Sequence, residues 1–148
     1  MERLLHEKAK LLVCDGQKAL FIQNDGWPGQ PIFKVVHEMH WDESQHTADL
    51  GTDKPGRVRS MLGGPISSIE PADWHAEEED AFVKKALQEF TKLCEKDKTR
   101  EVVFVAPPKA LAVIRKAASK ALMERVVGQL DKDLTKHPIY EIERLVTL

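Results

Sequence analysis

The chain has 148 residues, 42% of them hydrophobic and 31% charged, and this length predicts one compact domain rather than two. Acidic and basic residues are interspersed and the formal net charge is −2, which excludes a uniformly basic surface for holding nucleic acid. The early charges at Glu2 and Arg3 predict no secretory signal, and no run of about 18 apolar residues predicts a membrane span, so we expect a cytoplasmic protein.

Three short apolar segments open the chain and predict an antiparallel meander. Residues 9–14 and 18–23 flank an Asp-Gly pair, and both residue types tolerate positive φ in a hairpin turn. A second cluster of turn residues precedes a third strand over residues 32–37, which is rich in β-branched side chains. We therefore expect three neighbouring strands before any helix.

A long stretch without periodicity follows, over residues 41–72. Glycine, proline, serine and aspartate accumulate there and no apolar repeat of either period is visible. A loop of about thirty residues is unusual inside a small domain and is typical of functional segments. Function is therefore expected first in this stretch.

The next segment predicts a helix that begins near a cap at Asp73. Acidic residues follow the cap and lysines accumulate at the far end, as the helix dipole favours. Its predicted inner face is formed by Phe82, Ala86, Phe90, Leu93 and Cys94. Residues 101–106 then form an apolar run without alternation, which predicts a strand covered on both faces.

The last third of the chain predicts two further helices and one further strand. A helix opens at Pro107-Pro108 and buries Leu111, Ile114, Ala118 and Leu122; a strand follows over residues 125–130, then a polar loop over 131–136. A final helix opens at Pro138 and turns Ile139, Ile142, Leu145 and Val146 inward. The resulting order, β-β-β-α-β-α-β-α, predicts a mixed five-stranded sheet with helices on both faces, as in ribonuclease H-like folds.

Four stretches, in this order, resemble the bacterial family of host attachment proteins. They are Leu12 to Ala19 in the hairpin, Thr52 to Arg57 in the long loop, Val103 to Leu111 with the later Arg115, and Leu130 to His137. Together they span nearly the whole chain. The family in turn resembles the middle domain of archaeal and eukaryotic peptide-chain release factors, so the resemblance implies a release-factor-like fold over residues 1–148.

In release factors that domain carries a Gly-Gly-Gln loop that promotes hydrolysis of peptidyl-tRNA. Here Gly63-Gly64 is followed by Pro65, which has neither a polar side chain nor a backbone N–H to position a water molecule. We therefore predict a domain without enzymatic activity or cofactor, whose expected partner is RNA or the ribosome. The residues predicted to contact phosphate are Lys54, Gly56, Arg57, Arg59, Gly63 and Gly64, because guanidinium forks and a lysine beside glycines can meet phosphate oxygens.

Two alternatives to RNA binding remain open. Asp15, with Asp131 or Asp133, could hold metal ions in a nuclease or phosphoesterase, although a turn residue and a helix-start residue are the more ordinary interpretations. The family name also suggests a role in attachment, which we expect to be indirect in a protein without an export signal.

The histidines and cysteines of the chain carry weaker signals. His37, His40 and His46 lie near Glu38 and Glu43, but residues three apart on a strand face opposite sides, so we expect a polar strand end and no metal site. Cys14 and Cys94 each lie in an apolar pattern, which predicts small buried side chains rather than a disulfide.

Overall fold

A computed structural model describes residues 5–41 and 71–147 of the chain. Within these ranges the strands are β1 Lys10–Cys14, β2 Lys18–Asn24, β3 Phe33–His40, β4 Val102–Val105 and β5 Val126–Leu130. The helices are α1 Pro71–Lys96, α2 Pro108–Ala117, α3 Lys120–Met123 and α4 Ile139–Thr147. The predicted order of elements is confirmed, with one additional short helix before β5.

The five strands form one mixed sheet in the order β3-β2-β1-β4-β5. β2 runs antiparallel to both β1 and β3, whereas β4 runs parallel to β1 and to β5. Four strands therefore point the same way, and only β2 points the other way. This confirms the predicted α/β class and the mixed five-stranded sheet.

Helices cover both faces of the sheet, as the apolar run in β4 predicted. Leu12 and Phe104 belong to a core shared with α1, α2 and α3, while their neighbours Val13 and Val105 belong to a second core shared with α4. Because side chains alternate along a strand, a strand buried on both faces must be apolar throughout. All four residues of β4 are buried accordingly.

The longest helix, α1, packs its predicted apolar stripe onto the first of these cores. Phe82, Ala86, Phe90 and Cys94 are all buried. The ring of Phe90 lies edge-on to two strand side chains, 5.4 Å from Phe21 and 6.3 Å from Phe104 between centroids. The helix begins at Pro71, two residues before the predicted cap.

The helix predicted to continue to Leu122 is interrupted. α2 ends at Ala117, and Ala118 adopts an extended backbone with ψ of 142°. Ser119 then caps α3 by accepting a hydrogen bond from the Leu122 backbone N–H at 3.1 Å. A serine side chain that binds a nearby N–H competes with helical continuation, which explains the break.

The hairpin between β1 and β2 is confirmed, but the predicted reason for it is wrong. Gly16 does not adopt positive φ; the non-glycine residues that do, among those described, are Lys8 and Lys98. The turn is held instead by the Asp15 carboxylate, whose Oδ1 accepts from the backbone N–H groups of Gln17 and Lys18, both at 2.8 Å. This is the local side-chain bonding that favours aspartate in turns.

Candidate functional site at the carboxyl edge of the sheet

The candidate site lies where the parallel strands end. Because β1, β3, β4 and β5 point the same way, the segments that follow them meet at one edge of the sheet, which we call the carboxyl edge. The backbone N–H of Ala106 after β4 bonds the Leu130 carbonyl at the end of β5, at 3.1 Å. Ligand sites of open α/β sheets commonly lie at this edge.

The segment 42–70 begins at the carboxyl edge, and the helix that follows it contacts the same edge. Trp41, directly after β3, donates its backbone N–H to the Gln17 carbonyl in the hairpin turn at 2.7 Å. From the other flank, Glu79 of α1 packs so closely on the turn that a Cβ at Gly16 would lie 2.7 Å from the Cβ of Glu79. Glycine is therefore required at position 16 for close approach of the helix.

Two carboxylates of this edge converge on one buried hydroxyl. Thr135, which is only 1% exposed, places its Oγ1 2.9 Å from Asp15 Oδ2 and 2.9 Å from Asp133 Oδ1. The Thr135 backbone N–H also donates to Asp133 Oδ1, at 3.2 Å. A hydroxyl has a single hydrogen, so it can donate to only one carboxylate at a time. The turn after β1 and the loop after β5 are thereby joined.

The charge of these carboxylates reaches the neighbouring thiol. Burial, followed by the negative charges of Asp15 and Asp133, raises the pKa of Cys14 to about 12. Burial also raises the pKa of Cys94 to about 11, with Lys10 acting in the opposite direction. Both cysteines are free and buried, which confirms the prediction of small core side chains. Neither thiol forms a thiolate at neutral pH.

The remainder of the carboxyl edge favours anions. α2 begins here with Pro107 as its N-cap, without a side-chain cap and without an acidic residue in its first turn. The N-terminus of a helix carries partial positive charge and unpaired N–H groups. Lys109 in the first turn, together with Lys132 and Lys136 in the loop after β5, is exposed. Lys132 and Lys136 belong to the same loop as Asp133 and Thr135, and Lys109 follows the end of the neighbouring strand β4.

The residues predicted to bind phosphate, Lys54, Gly56, Arg57, Arg59, Gly63 and Gly64, lie outside the described residues. Of the alternative carboxylates, Asp133 meets Asp15 through Thr135. Asp131 and Asp133 are both exposed, but only Asp133 bonds Thr135. Asp15 is therefore both a turn residue, as its ordinary interpretation required, and one half of a carboxylate pair.

The histidines of β3 contact neighbouring side chains. His37 lies 5.2 Å from Phe21 between ring centroids, and His40 Nε2 is 3.0 Å from Glu38 Oε1. His46 and Glu43 lie outside the described part of the chain. Among residues 5–41 and 71–147, no group of three or more histidine, cysteine, aspartate or glutamate side chains could hold a metal ion.

Sequence reasoning missed Thr135. Its position in a polar loop gave no reason to expect burial, and its partner Asp15 is 120 residues away in the chain. The spacing between Asp133 and Thr135 is the one local signal, because an aspartate often accepts from the backbone two residues later. That signal indicates a turn and does not reveal the second carboxylate.

The described part of the chain is thus an α/β domain with a mixed sheet and a polar site at its carboxyl edge. The chain belongs to the family described as "Protein required for attachment to host cells", whose family model matches residues 11–146. No curated protein gives a significant match. In the ranges that the structure describes, no helix has the length and apolar character needed to cross a membrane.

Proposed function

We propose that this domain binds RNA, free or within the ribosome, without catalysing a reaction. The contacts are made by Lys54, Gly56, Arg57, Arg59 and the Gly63-Gly64 pair. The observation that carries the proposal is that the elements before and after this segment reach one place, since Trp41 and Glu79 of α1 both contact the hairpin turn at the carboxyl edge. The same edge carries the other three stretches that resemble the host attachment family.

Electrostatics at the carboxyl edge support a phosphate ligand. The uncapped start of α2 and the exposed Lys109 offer N–H groups and positive charge to a phosphate. Lys132 and Lys136 add charge on the adjacent loop. Contacts of this kind position a nucleic acid through its backbone and read little sequence. We therefore expect binding with weak sequence preference and strong dependence on salt.

The release-factor resemblance supports the scaffold but not the reaction. A sheet with helices on both faces and a long segment between β3 and α1 is compatible with a ribonuclease H-like or release-factor middle-domain arrangement. Pro65 stands where a hydrolytic loop would need a glutamine after Gly63-Gly64. Proline offers no side-chain group and no N–H to a water molecule. We therefore propose that the domain binds RNA without hydrolysing a substrate.

Cosedimentation with ribosomes tests this proposal. The wild-type protein should pellet with ribosomes at low salt, and the Arg57→Ala/Arg59→Ala variant should remain mostly in the supernatant. The matched control is Lys34→Ala/Arg144→Ala, which also removes two positive charges, from exposed positions on β3 and α4. If the Arg57/Arg59 variant pellets as well as the control, the segment is not the binding element.

A metal-dependent phosphoesterase is the second candidate, because Asp15 and Asp133 meet at one point. Mg²⁺ is commonly held by one or two carboxylates, with water or substrate phosphate completing its shell. If the domain has this activity, added Mn²⁺ should broaden the amide NMR signals around Asp15 and should support cleavage of single-stranded RNA. Both effects must disappear in Asp133→Asn. Absence of broadening at millimolar Mn²⁺ would exclude this candidate.

The attachment phenotype in the family description follows indirectly under the RNA-binding proposal. A strain that lacks this protein should regain attachment when complemented with the wild-type gene and not with Arg57→Ala/Arg59→Ala. Full rescue by that variant would separate attachment from RNA binding.

A further inference from the structure

A second polar cleft lies at the opposite edge of the sheet, where β1 and β4 begin. It encloses about 570 Å³ and is lined by residues 6–9, Asp97, Lys98, Arg100 and Glu101. We call it the amino-edge cleft. Its volume falls within the range of small-molecule sites. No stretch that resembles the host attachment family supplies its charged lining.

Two of the three acidic side chains in this cleft are already engaged. Asp97 Oδ2 lies 2.9 Å from the Nζ of Lys10, a lysine that is only 1% exposed and that also bonds Gln23 Oε1 at 2.9 Å. Glu101 accepts from the backbone N–H of His6 at 2.8 Å and lies 2.7 Å from its Nδ1. The charge of Asp97 is therefore balanced by Lys10, and the oxygens of Glu101 are occupied by hydrogen bonds.

The cations of the cleft are not engaged in this way. Lys8, Lys98 and Arg100 are exposed, and their side chains form no hydrogen bond or ion pair with any residue in 5–41 or 71–147. Glu7 and Glu101 are the acidic groups of the lining that oppose these three cations, since the charge of Asp97 is balanced by Lys10. The cleft therefore presents an excess of available positive charge to a ligand.

Two of these lysines lie in a backbone conformation that usually favours glycine. Lys8 has φ of 76° and Lys98 has φ of 54°, in the left-handed region where glycine is favoured. Lys98 follows the end of α1, where the Thr99 N–H bonds the Cys94 carbonyl at 2.9 Å, a helix-ending motif that usually places glycine at this position. Lys8 lies in a turn closed by the Ala9 N–H on the His6 carbonyl at 3.2 Å.

Both positive-φ residues other than glycine in the described ranges thus line the same cleft, and both are lysines. Residues held in sparsely populated backbone conformations cluster at active sites and ligand sites. We propose that the amino-edge cleft binds a phosphate group, carried either by a free nucleotide or by an RNA backbone. Lys8, Lys98 and Arg100 are its ligands. This site is separate from the carboxyl edge and does not depend on the function proposed there.

The Lys8→Gly/Lys98→Gly variant tests this proposal without a folding artefact. Glycine adopts both backbone conformations readily, so the melting temperature should be unchanged or a few degrees higher. Binding of AMP, adenosine and a short single-stranded RNA is measured by NMR titration. The control is Lys34→Ala/Lys85→Ala, which removes two exposed lysines from β3 and from α1.

We expect AMP or the RNA to bind the wild-type protein and adenosine not to bind. Binding at the cleft is followed by the amide signals of residues 6–9 and 97–101. The affinity that these signals report should weaken on the order of tenfold or more in the double glycine variant, while the control and Arg57→Ala/Arg59→Ala retain it. AMP binding identifies a free nucleotide as the ligand, and RNA binding without AMP binding identifies a backbone phosphate. Equal affinity of the double glycine variant and the wild type, or no binding of any phosphate-bearing probe at millimolar concentration, would overturn the proposal.

Discussion

Replacing Thr135 with valine should destabilise the domain through the two carboxylates that meet at its hydroxyl. Valine keeps the shape of threonine and removes only the O–H group, so packing in this buried position changes little. A hydrogen bond to a charged group contributes roughly 1.5–3 kcal/mol, and Asp15 and Asp133 would then face each other without the intervening donor. We expect a loss of about 2 kcal/mol, or about 4–8 °C in melting temperature for a chain of this length.

Urea unfolding followed by circular dichroism measures this effect. Thr91→Val is the matched control, because the Thr91 hydroxyl donates to the uncharged Leu87 carbonyl at 2.7 Å within α1. Its loss should cost no more than about 1 kcal/mol. Adding Asp133→Asn should reduce the cost of Thr135→Val, since one of the two negative charges is then gone. An unfolding midpoint of Thr135→Val equal to that of the wild type would refute the bridging role of this hydroxyl.

Three further predictions concern buried charge and thiols. Asp97→Ala should destabilise the fold by about 1–2 kcal/mol in urea unfolding, because it leaves the buried Lys10 ammonium without its anion, while the 39% exposure of Asp97 lets water replace part of that contact. Lys10→Met, which removes the buried charge, should cost less, and equal costs would contradict this. The hydrogen bond from Lys10 holds the pKa of Asp97 below its usual value of 3.8. The stability that the ionised Asp97 contributes is therefore present above about pH 4 and is lost as pH falls through the lowered pKa. Asp97→Asn should remove that part of the acid sensitivity, and an unchanged acid profile would argue against it. Burial raises the pKa of Cys14 to about 12 and that of Cys94 to about 11. Both thiols should therefore react with a disulfide reagent at pH 8 only after the protein is denatured. Rapid labelling of the folded protein would contradict this prediction.

Much of the scaffold was predictable because its signals are local. The unbroken apolar run of β4 indicated a strand covered on both faces, and the spacing from Phe82 to Cys94 indicated the buried face of α1. The break at Ala118 was not predicted, because the apolar stripe continues to Leu122 and only the Ser119 side chain ends α2. Periodicity therefore located the elements and did not resolve their local capping.

The candidate site was predictable only in part, because its contacts join distant segments. Asp15 and Asp133 were identified as residue types that could act together, but the choice between Asp131 and Asp133 depends on how the loop after β5 folds onto the hairpin. The lysines at positive φ carry no sequence signal at all. Lys8 and Lys98 resemble ordinary surface residues until the backbone around them is known.

RNA binding through the segment from Lys54 to Gly64 is tested most directly by the salt dependence of affinity for single-stranded RNA. Each phosphate that a cation of the protein neutralises adds about 0.7 to the slope of log K against log salt. We predict that Arg57→Ala/Arg59→Ala binds more weakly at every salt concentration and has a slope smaller by about 1.4, while Lys34→Ala/Arg144→Ala leaves both unchanged. An affinity and slope equal to those of the wild type would contradict RNA binding by this segment.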